Sequence, residues 1–78
     1  MSDHEVVEVA AAYVHVISEE ENGQHPIARV AARLHLSEDT VRRRLGRARS
    51  RGFLTPAPRG RAGGRLTAAA EAILRERR

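Results

Sequence analysis

The chain lacks cysteine and tryptophan altogether, and across its 78 residues it has one tyrosine, Tyr13, and one phenylalanine, Phe53. Without cysteine, neither a disulfide framework nor a thiolate zinc site can staple the fold, so packing alone must hold it. A chain this short buries only about 60–65% of the surface its unfolded form exposes, which leaves room for one core and hence a single domain over residues 1–78. No apolar run approaches the roughly 18 residues that a membrane span needs. The N-terminal Met-Ser-Asp-His-Glu is acidic where a secretory signal is basic, so the expected compartment is the cytoplasm. Lysine is missing too: all fourteen basic residues are arginine.

Those arginines are unevenly spread. Residues 1–27 hold Asp3, Glu5, Glu8, Glu19, Glu20 and Glu21 and no arginine, whereas residues 28–78 set fourteen arginines against Glu38, Asp39, Glu71 and Glu76; the formal net charge is +4. The window 41–66 has nine arginines and no acid. A GC-rich coding bias accounts for arginine in place of lysine and for thirteen alanines, but it does not exclude acids from one stretch of 26 residues. That exclusion is the footprint of a surface that meets a polyanion.

The punctuation of the chain divides it into four helices and one hairpin. Ser2 and Glu5 form a capping-box pair ahead of a helix over residues 3–21, in which Val6, Ala10, Tyr13, Val14 and Ile17 repeat at three- and four-residue spacing. Asn22-Gly23 ends it, and Gln24-His25 is expected to be extended, because a residue preceding proline avoids the right-handed helical region. Pro26 suits the first turn of a second helix to Leu34, with Ile27, Val30, Ala31 and Leu34 inward. Ser37 then caps a third helix, residues 38–51, with Glu38 and Asp39 complementing its dipole, Val41, Leu45 and Ala48 inward and Gly52 as its stop. Residues 26–51 thus read as a helix-turn-helix. Phe53-Leu54-Thr55 and Arg65-Leu66-Thr67 are β-compatible runs on either side of a basic Gly- and Pro-rich tip, so residues 53–67 are expected to form a β-hairpin. Thr67 caps a last helix, residues 68–77, that packs through Ala70, Ile73 and Leu74. The expected fold is mainly α with a small β-hairpin.

The stretch from Ile27 to Leu54, IARVAARLHLSEDTVRRRLGRARSRGFL, resembles the DNA-binding half of bacterial winged helix-turn-helix regulators, the GntR- and MarR-like groups in particular. The resemblance rests on Val30, Ala31 and Leu34 in the supporting helix, Leu36 and Ser37 in the turn, Thr40, Val41 and Leu45 in the recognition helix, and Arg51-Gly52-Phe53-Leu54 leading into the wing. It implies a winged helix-turn-helix fold, with a two-stranded wing between the third and fourth helices. It also implies double-stranded DNA as the partner, with the helix 38–51 in the major groove and residues 58–65 on the minor groove or the backbone. Two positions depart from the pattern. His35 stands where such turns often have glycine, and histidine tolerates the left-handed conformation better than most side chains. Arg44 stands where a small apolar residue is usual, and its stem is expected to lie along the domain edge with its head on a phosphate.

At about 100° per residue, Arg43 lies opposite the inward stripe of the third helix, beside Asp39, Gly46, Arg47 and Ser50, with Thr40 and Arg42 on the flanks. Arg43 and Arg47 are the candidates for donating to guanine O6 and N7, and Thr40 for bonding a phosphate or touching a thymine methyl. Asp39 either accepts from cytosine N4 or only complements the helix dipole. Ser37, Arg42, Arg44, Arg49, Ser50 and Arg51 are candidates for the DNA backbone, where contacts position without specifying. Arg59, Arg61 and Arg65 alternate with small residues and are the wing candidates for a narrow minor groove. Gly46, in mid-helix, costs about 0.5–1 kcal/mol relative to alanine, which a close approach of its backbone to DNA or to another helix would offset.

No catalytic constellation stands beside these residues. His4, His15, His25 and His35 lack metal-ligand spacing, the segment Arg59–Gly64 lacks the Gly-Lys-Ser/Thr of a nucleotide-binding loop, and no Ser/His/Asp set can be assigned. No enzyme, cofactor, metal or small-molecule ligand is expected. The expected function is that of a small, nucleoid-associated transcriptional regulator that binds double-stranded DNA sequence-specifically. The alternatives are an excisionase-like architectural accessory protein of a phage or plasmid, and a winged-helix protein–protein interaction module that binds an acidic protein. So thin a core also favours a homodimer, with the first helix as its seam through whichever of Val7, Val9 and Val16 the core leaves free.

Overall fold

A computed structural model of the chain describes residues 2–19, 25–56 and 63–76. They form four helices: α1 (Asp3–Glu19), α2 (Pro26–Leu34), α3 (Glu38–Ser50) and α4 (Ala68–Glu76). The helix stop expected at Asn22-Gly23, and the final residues 20–21 and 77 of the expected first and fourth helices, lie outside the described residues. No described helix is long and apolar enough to cross a membrane.

Helix α1 is the centre of the fold. Ser2 caps it, its hydroxyl accepting from the Glu5 amide at 3.2 Å and its carbonyl from the Val6 amide at 3.2 Å. Helices α2, α3 and α4 all pack on α1, so its buried face is wider than a single neighbour would require. Val6, Val7, Val9, Ala10, Tyr13 and Val16 are all buried, while Val14 and Ile17, placed in the expected stripe, are only half-buried beside them. The seam expected for a homodimer is thereby corrected: the core consumes Val7, Val9 and Val16, leaving none of them on the surface. The largest fully buried side chains are all valine, namely Val6, Val7, Val9, Val30 and Val41. Each contributes roughly 1.5–3 kcal/mol by burial, and their short branches let the helices approach closely.

Helix α2 is bracketed by two left-handed residues. His35 (φ 57°, ψ 44°) ends it, with its own amide and that of Leu36 both donating to Ala31 O. At the other end His25 is not extended, as expected, but left-handed too (φ 54°, ψ 47°), and its carbonyl accepts from the Arg29 amide at 3.1 Å. The ring of Pro26 disfavours the right-handed helical conformation at His25 and ordinarily leaves an extended one; here the first bond of α2 is made from the left-handed conformation instead.

Helix α3 follows the expected plan at both ends. Ser37 accepts from the Thr40 amide at 3.1 Å and donates its hydroxyl hydrogen to Thr40 Oγ1 at 2.9 Å, and Val41, Leu45 and Ala48 are buried. Its last turn closes around Gly52 (φ 77°), with the Gly52 amide bonded to Arg49 O and the Phe53 amide to Ala48 O. This double closure satisfies carbonyls that the helix end would otherwise leave open.

The wing is the principal correction. Among the described residues there is no β-strand, so the expected β-hairpin over 53–67, and with it the winged form of the fold, is not found. A single antiparallel bridge, Leu54 to Leu66, stands in its place. Two backbone bonds frame it, Thr55 N to Arg65 O at 2.9 Å and Thr67 N to Phe53 O at 3.0 Å. The two reciprocal bonds a ladder needs are diverted. Phe53 has given its hydrogen to Ala48 O, and Arg65 donates to the Thr55 hydroxyl at 2.8 Å rather than to the backbone. On one side Thr67 already caps α4, and on the other the Arg65 amide is held by a side chain, so among the described residues the pairing is one residue pair long.

Candidate nucleic-acid interface

Helix α3 has two engaged flanks and one outward face. On the flank against α1, Arg51 pairs with Asp3 and Arg44 pairs with Glu5 at 3.6 Å. Glu5 therefore completes only half of the expected capping box, since its carboxylate reaches α3 instead of turning back to Ser2. Arg44 is the more enclosed of the two arginines, with 22% of its side chain exposed, and its Nε is buried without a hydrogen-bond acceptor. A buried donor left unsatisfied costs about 1–3 kcal/mol.

The opposite flank carries Arg49. Its guanidinium lies 5.9 Å from the centre of the Tyr13 ring and donates to Gly63 O at 3.3 Å. The Tyr13 hydroxyl in turn accepts from the Gly63 amide at 3.1 Å. Tyr13 and Arg49 thus tie α1 and α3 to the start of the segment that returns to α4.

Asp39, Arg42, Arg43, Gly46, Arg47 and Ser50 are exposed on the outward side, with Thr40 half-buried at its edge. Arg43 pairs with Asp39 at 3.5 Å and Arg42 with Glu38 at 3.3 Å, one helical turn apart in each case. All four side chains are more than half exposed, so each pair is worth a few tenths of a kcal/mol, about 0.3–0.5, and yields readily to a stronger anion. Arg47 has no side-chain partner among the described residues. Nothing lies within 4 Å of the position a Cβ would take at Gly46, so this glycine makes no close approach within the chain.

The candidate residues therefore separate into two groups. Asp39, Thr40, Arg43, Arg47, Arg42 and Ser50 share the outward side, with Ser37 beside Thr40 at its N-terminal end. Arg44, Arg49 and Arg51, read as backbone clamps, are engaged within the chain instead; for Arg44 this replaces the free, phosphate-seeking head with an interhelical pair. Arg65 is exposed beside the bridge, whereas Arg59 and Arg61 lie outside the described residues. The sequence reading missed Asp3, Glu5 and Tyr13 as partners of the helix. Their only local signal was position in α1, and it is the packing of α1 on α3 that brings them there.

No group of three or more His, Asp or Glu side chains that could hold a metal ion occurs among the described residues. No family model, curated protein or solved structure matches the chain.

Proposed function

We propose that this chain is a small transcriptional regulator that binds double-stranded DNA sequence-specifically, with the outward face of α3 in the major groove. The observation that carries the reading is that face itself. Arg43 and Arg47 stand exposed, one turn apart, on a helix fixed from behind by Val41, Leu45 and Ala48. A helix about 10–12 Å across fits a major groove about 12 Å wide. A rigid support matters because an arginine fork discriminates guanine only when its two hydrogen bonds are aimed.

In this reading Arg43 and Arg47 read bases, while Arg42, Ser50 and Ser37 meet the backbone at the groove edges. The Asp39 carboxylate steers the Arg43 guanidinium before binding and is itself able to accept from cytosine N4. The Thr40 hydroxyl, already accepting from Ser37, keeps its own hydrogen for a phosphate.

Fluorescence anisotropy of a labelled random-sequence duplex, titrated over a salt series, tests the binding. The expected result is an association constant that falls steeply and linearly with salt on logarithmic axes. Absent or salt-independent binding overturns the proposal. Genome-wide footprinting then tests the regulatory part: occupancy at one or a few promoters supports it, and regularly phased arrays would favour an architectural role instead.

A further inference from the structure

Two of the arginines of α3 and its cap are neutralised by acids that lie more than 30 residues earlier in the chain. We infer that Asp3 and Glu5 act as intramolecular competitors of DNA phosphate at the α3 surface, holding Arg51 and Arg44 off phosphate so that non-specific binding stays weak. The inference rests on the DNA-binding reading above and adds to it a restraint that the reading does not require.

Several observations converge. Arg44 and Arg51 fall on the same side of α3, next to Thr40 and Arg47, so a released guanidinium borders the outward face rather than the far side of the domain. Neither pair is sealed off: the carboxylates of Glu5 and Asp3 remain 52% and 58% exposed. Arg44 is imperfectly satisfied where it is, its Nε lacking an acceptor, a shortfall that Arg49 Nε shares. The remaining arginines of the helix divide differently, since Arg42 and Arg43 are paired only with acids of their own helix and Arg49 is committed to Tyr13 and Gly63. Phosphate contacts raise affinity for every sequence alike, whereas base contacts do not. Withholding two of the former therefore lowers affinity for every sequence, random DNA included, and leaves a larger share of what binding remains to the base contacts.

The test compares Asp3→Asn/Glu5→Gln with the wild type on the random duplex. Two added phosphate contacts should steepen the salt dependence by about 1–2 and tighten binding at low salt roughly tenfold. Glu71→Gln/Glu76→Gln, on exposed positions of α4, changes the net charge equally without releasing an arginine, and should produce less than half that effect. In an Arg44→Ala/Arg51→Ala background the Asp3/Glu5 substitutions should do no more than the α4 control does. The inference is overturned if the salt slope is unaltered, if the α4 control matches it, or if the full change persists without the two arginines. Should the double variant fail to fold by circular dichroism, each single substitution is expected to give about half the effect, and no effect in either overturns the inference. Wild-type protein that ignores DNA would instead defeat the DNA-binding reading itself, a result told apart by the first titration alone.

Discussion

Tyr13 and Gly63 are joined by a hydrogen bond from the Gly63 amide to the tyrosine hydroxyl, 50 residues apart in the chain. It links the central helix to the segment that was expected to be a wing, and the Arg49 guanidinium over the same ring adds α3 to the junction. Tyr13→Phe keeps the ring and removes one bond, so it should cost about 1 kcal/mol and lower Tm by about 4–8 °C. Tyr13→Ala also empties the core and should cost about 3–5 kcal/mol. Equal melting temperatures for the wild type and the phenylalanine variant would show that the hydroxyl carries no net stability.

Two glycines should respond to alanine with opposite signs. Gly64 has φ 131°, and a Cβ there would meet Thr55 O at 2.9 Å, so Gly64→Ala should destabilise by at least ~1–2 kcal/mol. Gly46 is helical with open space around it, and Gly46→Ala should stabilise by about 0.5–1 kcal/mol. If DNA lies against the α3 backbone at this point, the stabilised Gly46→Ala protein should nevertheless bind its site more weakly. Melting and anisotropy measured on the same sample check both halves.

His35 occupies a left-handed conformation that costs a non-glycine residue roughly 1–2 kcal/mol. His35→Gly should therefore stabilise the fold by about 0.5–1 kcal/mol, part of the relief being offset by the freer unfolded chain. His35→Val, branched at Cβ, should destabilise. Chemical denaturation of the two variants reads the difference directly, and the same order for both would remove the turn geometry as the cause.

The arginines should differ in what they do to binding. Arg43→Ala is expected to cost about 1–3 kcal/mol on the specific site and little on random DNA, with Arg47→Ala behaving alike. Arg42→Ala should weaken both duplexes together and reduce the salt slope by about 1. Arg49→Ala should act chiefly on Tm, because its guanidinium is spent on Tyr13 and Gly63. A uniform loss across all four would mean that none reads a base.

What the sequence made legible was whatever is decided locally. Pro26, Ser37 and Gly52 mark the limits of α2 and α3 because a missing amide hydrogen, a capping hydroxyl and a positive φ act within a few residues. The inward stripe Val41, Leu45 and Ala48 followed from the helical period alone. The face of α1 did not, because reading one stripe presumes one neighbour and this helix has three. The hairpin failed for a related reason: β-compatible side chains at 53–55 and 65–67 say nothing about where each amide hydrogen goes, and Phe53 had already lost its own to Ala48. Of the candidate interface, the outward group was visible from spacing. The engagement of Arg44, Arg49 and Arg51 was hidden in contacts across the length of the chain.

The diverted amides have a consequence for crowding. A two-stranded wing would offer an open strand edge, a template on which a neighbouring chain can align and seed aggregation. Here, among the described residues, the pairing is one residue pair long, and a threonine hydroxyl occupies the next amide. Among the described residues there is thus no β-strand whose edge another copy could pair with. In this respect the described part of the domain offers a neighbouring copy no strand to extend.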